Sequence, residues 1–163
     1  NHESPLRGNQ FVTKKIVREA FDISKGNSKT LKLGNLDAKR DWGFAGDYAE
    51  AMNLILESDE PDNFVVATGE TKTVREFCEK TFAFFDIEIV WEGSNEAEYG
   101  IDKRSGKKVV EVSQDYFRPA EVDLLVGDYS KINNITGWKP SVNFSQLIEM
   151  MCSEEEKTRK FTL

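Results

Sequence analysis

Histidine is nearly missing from this chain of 163 residues: the single one, His2, stands beside the first residue. A His-rich zinc site, or a Ser-His-Asp triad built within the chain, therefore has no material to form from. Cysteine is almost as scarce. Cys78 and Cys152 lie far apart, each in an apolar pattern of helical period, and read as small buried hydrophobes rather than a disulfide framework. That usage fits a reducing compartment, and the expected location is the cytoplasm. No apolar run approaches the roughly 18 residues that a bilayer span requires. The opening Asn1-His2-Glu3-Ser4-Pro5 has no charged-then-apolar leader and is expected to be the interior of something longer. Positive charge is also in deficit, with 22 Lys and Arg against 29 Asp and Glu, a net charge of −7. Neither nucleic acid nor a membrane is an expected partner. Any anion the chain binds must be held by a local cluster of cations, because the overall field repels it.

What is present is an alternation of helical and strand patterns, an α/β chain of one domain's length, 1–163. Asn1 to Asn9 reads as an extended loop. Phe11, Ile16, Val17, Ala20, Phe21 and Ile23 recur at helical spacing, and Gly26 closes that run. Thr30 to Leu33 reads as a short strand. Asn35 to Phe44 reads as a polar loop holding Lys39, Arg40 and Trp42, with Trp42 left unassigned to the core. Asp47 is expected to cap a helix whose inner face is Tyr48, Ala51, Met52 and Ile55. Phe64 to Thr68 is a continuous, mostly β-branched run and reads as a buried strand. Thr73-Val74-Arg75-Glu76 is a capping box opening a helix through Phe77, Cys78, Phe82 and Phe85. Ile87 to Trp91 reads as a strand, and 92–112 as an insertion-like loop or hairpin turning at Ser105-Gly106. Asp128 caps a short helix ending at Gly137. Asn143-x-x-Gln146 opens the last helix, with Leu147, Ile148 and Met151 inward. The charged tail, 154–163, is expected to fray.

The chemistry is harder to find. The glycines match neither Gly-x-Gly-x-x-Gly nor a Walker loop. Tyr99-Gly100-Ile101-Asp102-Lys103 has the Tyr-x-x-x-Lys spacing that puts a phenol and an ammonium on one helix face. It contains a glycine and runs into Arg104-Ser105-Gly106, so it reads as loop and the spacing carries no meaning. Three cations stand in unusual places: Lys15 near the inner face of the first helix, Arg40 between a strand and a helix, and Arg118 in Tyr116-Phe117-Arg118-Pro119-Ala120-Glu121. Converging, they would suit a diphosphate, and Glu121 could accept from sugar hydroxyls. Structural ion pairs, Arg40 with Asp41 or Asp37 and Arg118 with Glu121, are the competing reading of the same residues.

Several blocks change that balance. Asn1-His2-Glu3-Ser4-Pro5-Leu6-Arg7-Gly8 with Phe11-Val12-Thr13-x-Lys15-Ile16 closely resembles the second half of the GDP-mannose 4,6-dehydratases. So do Leu33-Gly34-Asn35-Leu36-Asp37-Ala38-Lys39-Arg40-Asp41-Trp42-Gly43-Phe44-Ala45, Ala67-Thr68-Gly69-Glu70 and Phe117-Arg118-Pro119-Ala120-Glu121-Val122-Asp123. The resemblance runs in order to about Met151. It implies the C-terminal, substrate-binding portion of an extended Rossmann-type short-chain dehydrogenase/reductase, without its N-terminal NADP-binding half.

Position by position, the resemblance implies that His2 and Arg7 contact NADP. Asn1, Val12, Lys15, Gly34, Asn35, Arg40, Arg118 and Glu121 would form the pocket for the GDP-sugar, GDP-mannose. Arg40 and Arg118 are the implied diphosphate clamp, with Lys15 near the guanine or the phosphates. Leu6 stands where the family usually has a second Arg, which removes a cation close to the cofactor. The family's glycine-rich loop, its Thr-x-Glu segment and its Tyr-x-x-x-Lys pair belong to its first half. No catalytic residue and no metal ligand is therefore expected in this chain. The implied reaction is the hydro-lyase step from GDP-D-mannose to GDP-4-dehydro-6-deoxy-D-mannose, towards GDP-fucose, in a complete protein that is a dimer or tetramer. A non-catalytic nucleotide-sugar-binding module and a related GDP-sugar epimerase or reductase are the alternatives.

Overall fold

The computed structural model describes residues 1–116 and 124–160. Its largest unit is three mutually packed helices against a four-stranded sheet. The first helix, α1 (Val12–Ser24), buries Ile16, Val17, Ala20 and Phe21, the stripe that the helical spacing predicts. It ends where Gly26 takes φ +77, a left-handed conformation that glycine adopts without steric cost. β2 (Leu31–Leu33) follows; the short β1 (His2–Glu3) precedes α1. After the short strands β3 (Lys39–Arg40) and β4 (Gly43–Phe44) comes α2 (Ala45–Leu56). β5 (Lys72–Thr73) leads into α3 (Val74–Phe84), which opens on the full capping box: the Glu76 amide donates to Thr73 Oγ1 at 3.0 Å, and the Thr73 amide donates to Glu76 Oε2 at 2.7 Å. α4 (Ser130–Thr136) and α5 (Phe144–Lys160) complete the chain. Asn143 and Gln146 exchange the same reciprocal pair of bonds at the start of α5.

The main sheet has the order β2-β8-β7-β6, with β6 (Ile89–Glu92), β7 (Tyr99–Asp102) and β8 (Lys108–Val112). β6, β7 and β8 are antiparallel neighbours, whereas β8 lies parallel to β2 with Leu33 opposite Val112. The stretch 92–112 is thus a hairpin, tied at its turn by Asp102, whose carboxylate accepts from the Ser105 hydroxyl and the Arg104 amide. Tyr99 opens strand β7, so its spacing to Lys103 is extended rather than helical. The Tyr99 hydroxyl donates to Glu92 and the Lys103 ammonium to Glu88. Two small ribbons flank the sheet, β1 parallel to β4 and β3 antiparallel to β5.

One core joins α1, α3 and α5 to the sheet through Ile16, Phe77, Phe82, Leu147 and Met151 on the helices and Leu31, Leu33 and Val110 on the strands. Trp42 belongs to it, edge-on to Phe77 at 5.3 Å and stacked on Phe144 at 6.1 Å. A second cluster, Tyr48, Ala51, Ile132 and Trp138, sits between α2 and α4. Among the described residues no helix is long and apolar enough to cross a membrane.

Four expectations fail for physical reasons. Met52 is 61% exposed, because only Tyr48 and Ala51 of the expected inner face are buried. Asp47 does not cap α2; it lies in the first turn and accepts from the amides of Ser141 and Val142 and the Ser141 hydroxyl, fastening the approach to α5. Phe64 to Thr68 forms no ladder among the described residues. Phe64 and Val66 turn toward the second cluster and Ala67 is buried, while Val65 is 53% exposed, so the run is only partly buried. The charged tail is helical to Lys160, because Glu155 is buried in an ion pair with Lys14 at 2.8 Å and also holds Arg159. An apolar surface is open: Leu124, Leu125 and Val126 are exposed, and Gly127 packs them alongside Val65 and Ala67.

Both cysteines are buried and unbridged. Burial pushes the Cys78 thiol well up and the Cys152 thiol up to about 12. Iodoacetamide at pH 8 is expected to label neither in the folded chain and both after denaturation. Intact mass before and after unfolding reads this directly.

Candidate functional site

Parallel pairing brings the C-terminal ends of β2 and β8 to the same edge of the sheet, a place where open sheets present ligand-binding loops. β2 runs into Gly34-Asn35. β8 runs through Ser113, whose amide donates to the Leu33 carbonyl at 2.8 Å, to Tyr116. The two exits pass so closely that a Cβ on Gly34 would stand 2.3 Å from the Tyr116 carbonyl oxygen. Only a residue without a side chain fits there.

A cavity of about 540 Å³ opens at this edge. Asn1, Arg7, Val12, Lys15, Gly34, Asn35 and Arg40 all line it, together with Glu3, Phe11, Trp42 and Tyr116. Seven of the ten positions singled out from the sequence thus converge. His2 is not among the lining residues: strand alternation turns Asn1 and Glu3 toward the cavity and His2 to the other face, where its ring lies 6.0 Å from that of Tyr48. Arg118 and Glu121 lie outside the described residues.

Each cation is placed by its surroundings. The Lys15 ammonium donates to the Lys32 carbonyl at 2.6 Å and sits 3.4 Å from the Tyr116 ring centroid. Arg40 leaves β3, its Nη1 donating to the Lys39 carbonyl at 2.8 Å. The two acids that flank it in sequence also bind elsewhere. Asp37 takes Arg75 at 3.0 Å, and Arg75 also holds Glu98 of the hairpin at 2.5 Å, which ties the loop 35–38 to β7. Asp41 accepts from the Thr68 amide and hydroxyl, the Gly69 amide and the Gly127 amide. Arg7 lies flat over Phe11, 3.4 Å from the ring centroid, with Nε 3.2 Å from the Glu3 carboxylate. At the other face the Tyr48 hydroxyl is buried without a hydrogen-bond partner among the described residues. Burial, then the Asp41 and Asp47 carboxylates, pushes its phenol up to about 12, so it remains a donor at neutral pH. No group of three or more His, Cys, Asp or Glu among the described residues could hold a metal.

Glu3 and Tyr116 escaped the reading of the sequence. A carboxylate two residues from the first has no periodic context to mark it as buried. Tyr116 stands two residues before Arg118, and that adjacency was its only signal. Chemically the cavity offers cations, amide groups and a half-exposed ring, which suits binding and orienting an anionic, partly planar ligand.

The family model described as GDP-mannose 4,6 dehydratase matches residues 1–151. The chain is 53% identical over 160 residues to GDP-mannose 4,6 dehydratase of Cricetulus griseus and 52% identical over 160 residues to that of Homo sapiens. Each match covers 98% of this chain and 43% of the relative. The chain therefore spans less than half the length of these curated relatives. Among solved structures it resembles RMD from Pseudomonas aeruginosa complexed with NADPH, with a TM-score of 0.77 at 23% identity over 97% of this chain and 46% of that one. It also resembles dTDP-glucose 4,6-dehydratase from Bacillus anthracis in complex with NAD, with a TM-score of 0.74 at 16% identity over 99% of this chain and 44% of that one. These two likenesses show the fold.

Burial raises the Glu3 carboxyl above its ordinary value of 4.5, against the opposing pull of the Thr13 hydroxyl and Arg7. The folded state therefore holds this proton more tightly than the unfolded one. The stability that this contributes is present below pH 4.5 and is lost as pH rises through the folded value. Relative to Glu3→Gln, the wild type is expected to lose stability over that rise, as urea melts at stepped pH will read. Parallel pH curves would refute it.

Proposed function

The chain belongs to the GDP-mannose 4,6-dehydratase family, and from that premise we propose that it supplies the nucleotide-sugar-binding part of a GDP-mannose 4,6-dehydratase. The observation that carries this reading is the convergence of Asn1, Val12, Lys15, Gly34, Asn35 and Arg40 on one cavity at the ends of two parallel strands. In this reading Arg40 and Arg118 clamp the diphosphate and Lys15 adds a third positive charge. Three cations from separate parts of the sequence thereby overcome the repulsion of a chain whose net charge is −7. Glu121 accepts from the sugar hydroxyls, and Gly34 lets the two strand exits close on the ligand.

NADP is the cofactor of the proposed complete enzyme, and when bound it supplies the acceptor and donor of hydride. The residues present fit its approach: His2 is exposed, its ring 6.0 Å from that of Tyr48, whose buried hydroxyl has no partner among the described residues, and Arg7 lines the neighbouring cavity. The role of this chain in catalysis is positional. It fixes the sugar donor in one orientation and one place, which is the part of rate enhancement that comes from lost translational and rotational freedom. Proton and hydride transfers fall to the N-terminal Rossmann half, which also covers the open surface of Val65, Leu124, Leu125 and Val126. Two buried free cysteines suit the cytoplasm, and the complete enzyme is a homo-oligomer.

Two measurements test the proposal. Residues 1–163 alone are expected to show no dehydratase activity on GDP-mannose with NADP, and to regain it when the N-terminal half is supplied. An active isolated chain would move the chemistry into it. In the complete enzyme, Arg118→Ala is expected to weaken GDP-sugar binding by roughly 1.5–3 kcal/mol, the scale of a hydrogen bond to a charged group. Calorimetric titration reads that loss, and unchanged affinity would reduce Arg118 to an ion-pair partner.

A further inference from the structure

Two walls of the cavity are joined by a side chain that lies outside it. One wall is the stretch Gly34 to Arg40 after β2, and the other is the exit of β8 through Ser113 to Tyr116. In the first wall Leu36 and Ala38 are buried in the main core, while Asp37 between them is exposed. Asn35 Oδ1 accepts from the Asp37 amide at 2.9 Å, so the side chain of one and the backbone of the other move as a unit. The start of α3 docks on this stretch, the Arg75 amide donating to the Leu36 carbonyl at 2.9 Å and the Val74 amide to the Ala38 carbonyl at 3.2 Å. The Arg75 side chain then reaches two acids. Nε and Nη2 donate to Asp37 Oδ1 at 3.2 and 3.0 Å, and Nη1 and Nη2 donate to Glu98 Oε1 and Oε2 at 2.5 and 3.0 Å. The guanidinium also lies 4.9 Å from the centroid of Trp91, whose own Nε1 donates to Glu79 at 2.7 Å. Glu98 belongs to the second wall: its carbonyl accepts from the Val112 amide at 3.1 Å, one residue before Ser113.

We infer, on the nucleotide-sugar reading above, that Arg75 is a positioning residue for the cavity and that the hairpin 92–112 acts on ligand binding through it. Neither Arg75 nor any residue of 92–112 lines the cavity. Exposed ion pairs contribute little, because ordering two long side chains offsets a screened attraction. This one differs: the Arg75 and Glu98 side chains are only 22% and 15% exposed, the contact is bidentate, and a third charge shares it. Asp37, 76% exposed, gains little from a nearby cation as such. What Arg75 supplies is direction, since a planar fork held at one end by Glu98 meets Asp37 in one geometry. Asn35 and Arg40, two residues before Asp37 and three after it, line the cavity and inherit that geometry. Without the bridge the core still holds Leu36 and Ala38, but the outward side of the stretch samples other arrangements. Apparent affinity then falls in proportion to the fraction of molecules in the binding arrangement. Bound substrate restores that arrangement, so turnover at saturation is spared.

The test uses the complete enzyme with Arg75→Lys, which keeps the charge and loses the fork, with Glu98→Gln, and with both together. Lys103→Gln is the control: it removes the other ion pair of the same hairpin, Lys103 with Glu88 at 2.6 Å, at the turn end away from the cavity. Each of Arg75→Lys and Glu98→Gln is expected to weaken GDP in calorimetric titration, and to raise KM for GDP-mannose, by roughly 2- to 30-fold, the scale for residues that touch no ligand. kcat is expected to stay near that of the wild type. The double variant is expected to bind no worse than the weaker single one, because both break the same bridge. Lys103→Gln is expected to bind as the wild type does. Unchanged GDP affinity in both single variants would overturn the inference. So would a fall in kcat at constant KM, which is what a bridge that only stabilises the fold produces through loss of active protein, and so would equal weakening in Lys103→Gln. Should Arg75→Lys not fold, the near-isosteric Glu98→Gln carries the same readings. A wild type that binds no GDP would fail the nucleotide-sugar reading and this inference with it, whereas a wild type that binds GDP no better than the variants do would fail this inference alone.

Discussion

A single buried carboxylate organises the cavity side of the molecule. Asp41 is 5% exposed and accepts four hydrogen bonds, from the Thr68 amide and hydroxyl and from the amides of Gly69 and Gly127. A charge withdrawn from water to that degree persists only if its oxygens are satisfied, and here the donors come from segments 27 and 86 positions away. The side chain thereby staples two extended segments, around Thr68 and Gly127, to the turn that carries Arg40 on one side and Trp42 on the other. Trp42 anchors that turn in the main core. Arg40 lines the cavity immediately before these two anchors, so its position follows from a packed indole and a saturated carboxylate.

Much of this was legible in the sequence where local rules and global packing agree. The 3.6-residue stripe of α1, the Thr73–Glu76 and Asn143–Gln146 boxes, the turn at Gly106 and the inert Tyr99–Lys103 spacing are all consequences of near-neighbour physics. The misreadings share one cause, which is dependence on distant partners. Phe64 to Thr68 reads as buried throughout, yet Val65 is exposed and Ala67 lies against Gly127, a glycine of a segment 60 residues on. Trp42 sits in a polar stretch and is buried by Phe77 and Phe144. Glu155 lies in a run of acids and is drawn inward by Lys14, 141 residues earlier.

The site followed the same rule. Local context alone left Arg40 and its neighbours open to an ion-pair reading, since Asp37 and Asp41 stand beside it. What favours the binding reading is geometry that no window of sequence contains: the parallel register of β2 and β8, which sets Gly34 against Tyr116, and the strand alternation that separates His2 from Asn1 and Glu3. The family resemblance supplied candidate positions without supplying this geometry, and neither it nor local context assigned a role to Glu3 or Tyr116.

The family match ends at Met151, one residue before Cys152 and four before Glu155. Yet Glu155 is the counter-ion of Lys14, and the same ammonium donates to the Pro5 carbonyl at 3.0 Å, in the stretch that leads to Arg7. A similarity boundary is thus not a folding boundary. Excision at the limit of the family model would strand a buried ammonium on α1 and loosen the segment at the opposite terminus, so the tail acts as the keystone of the entrance.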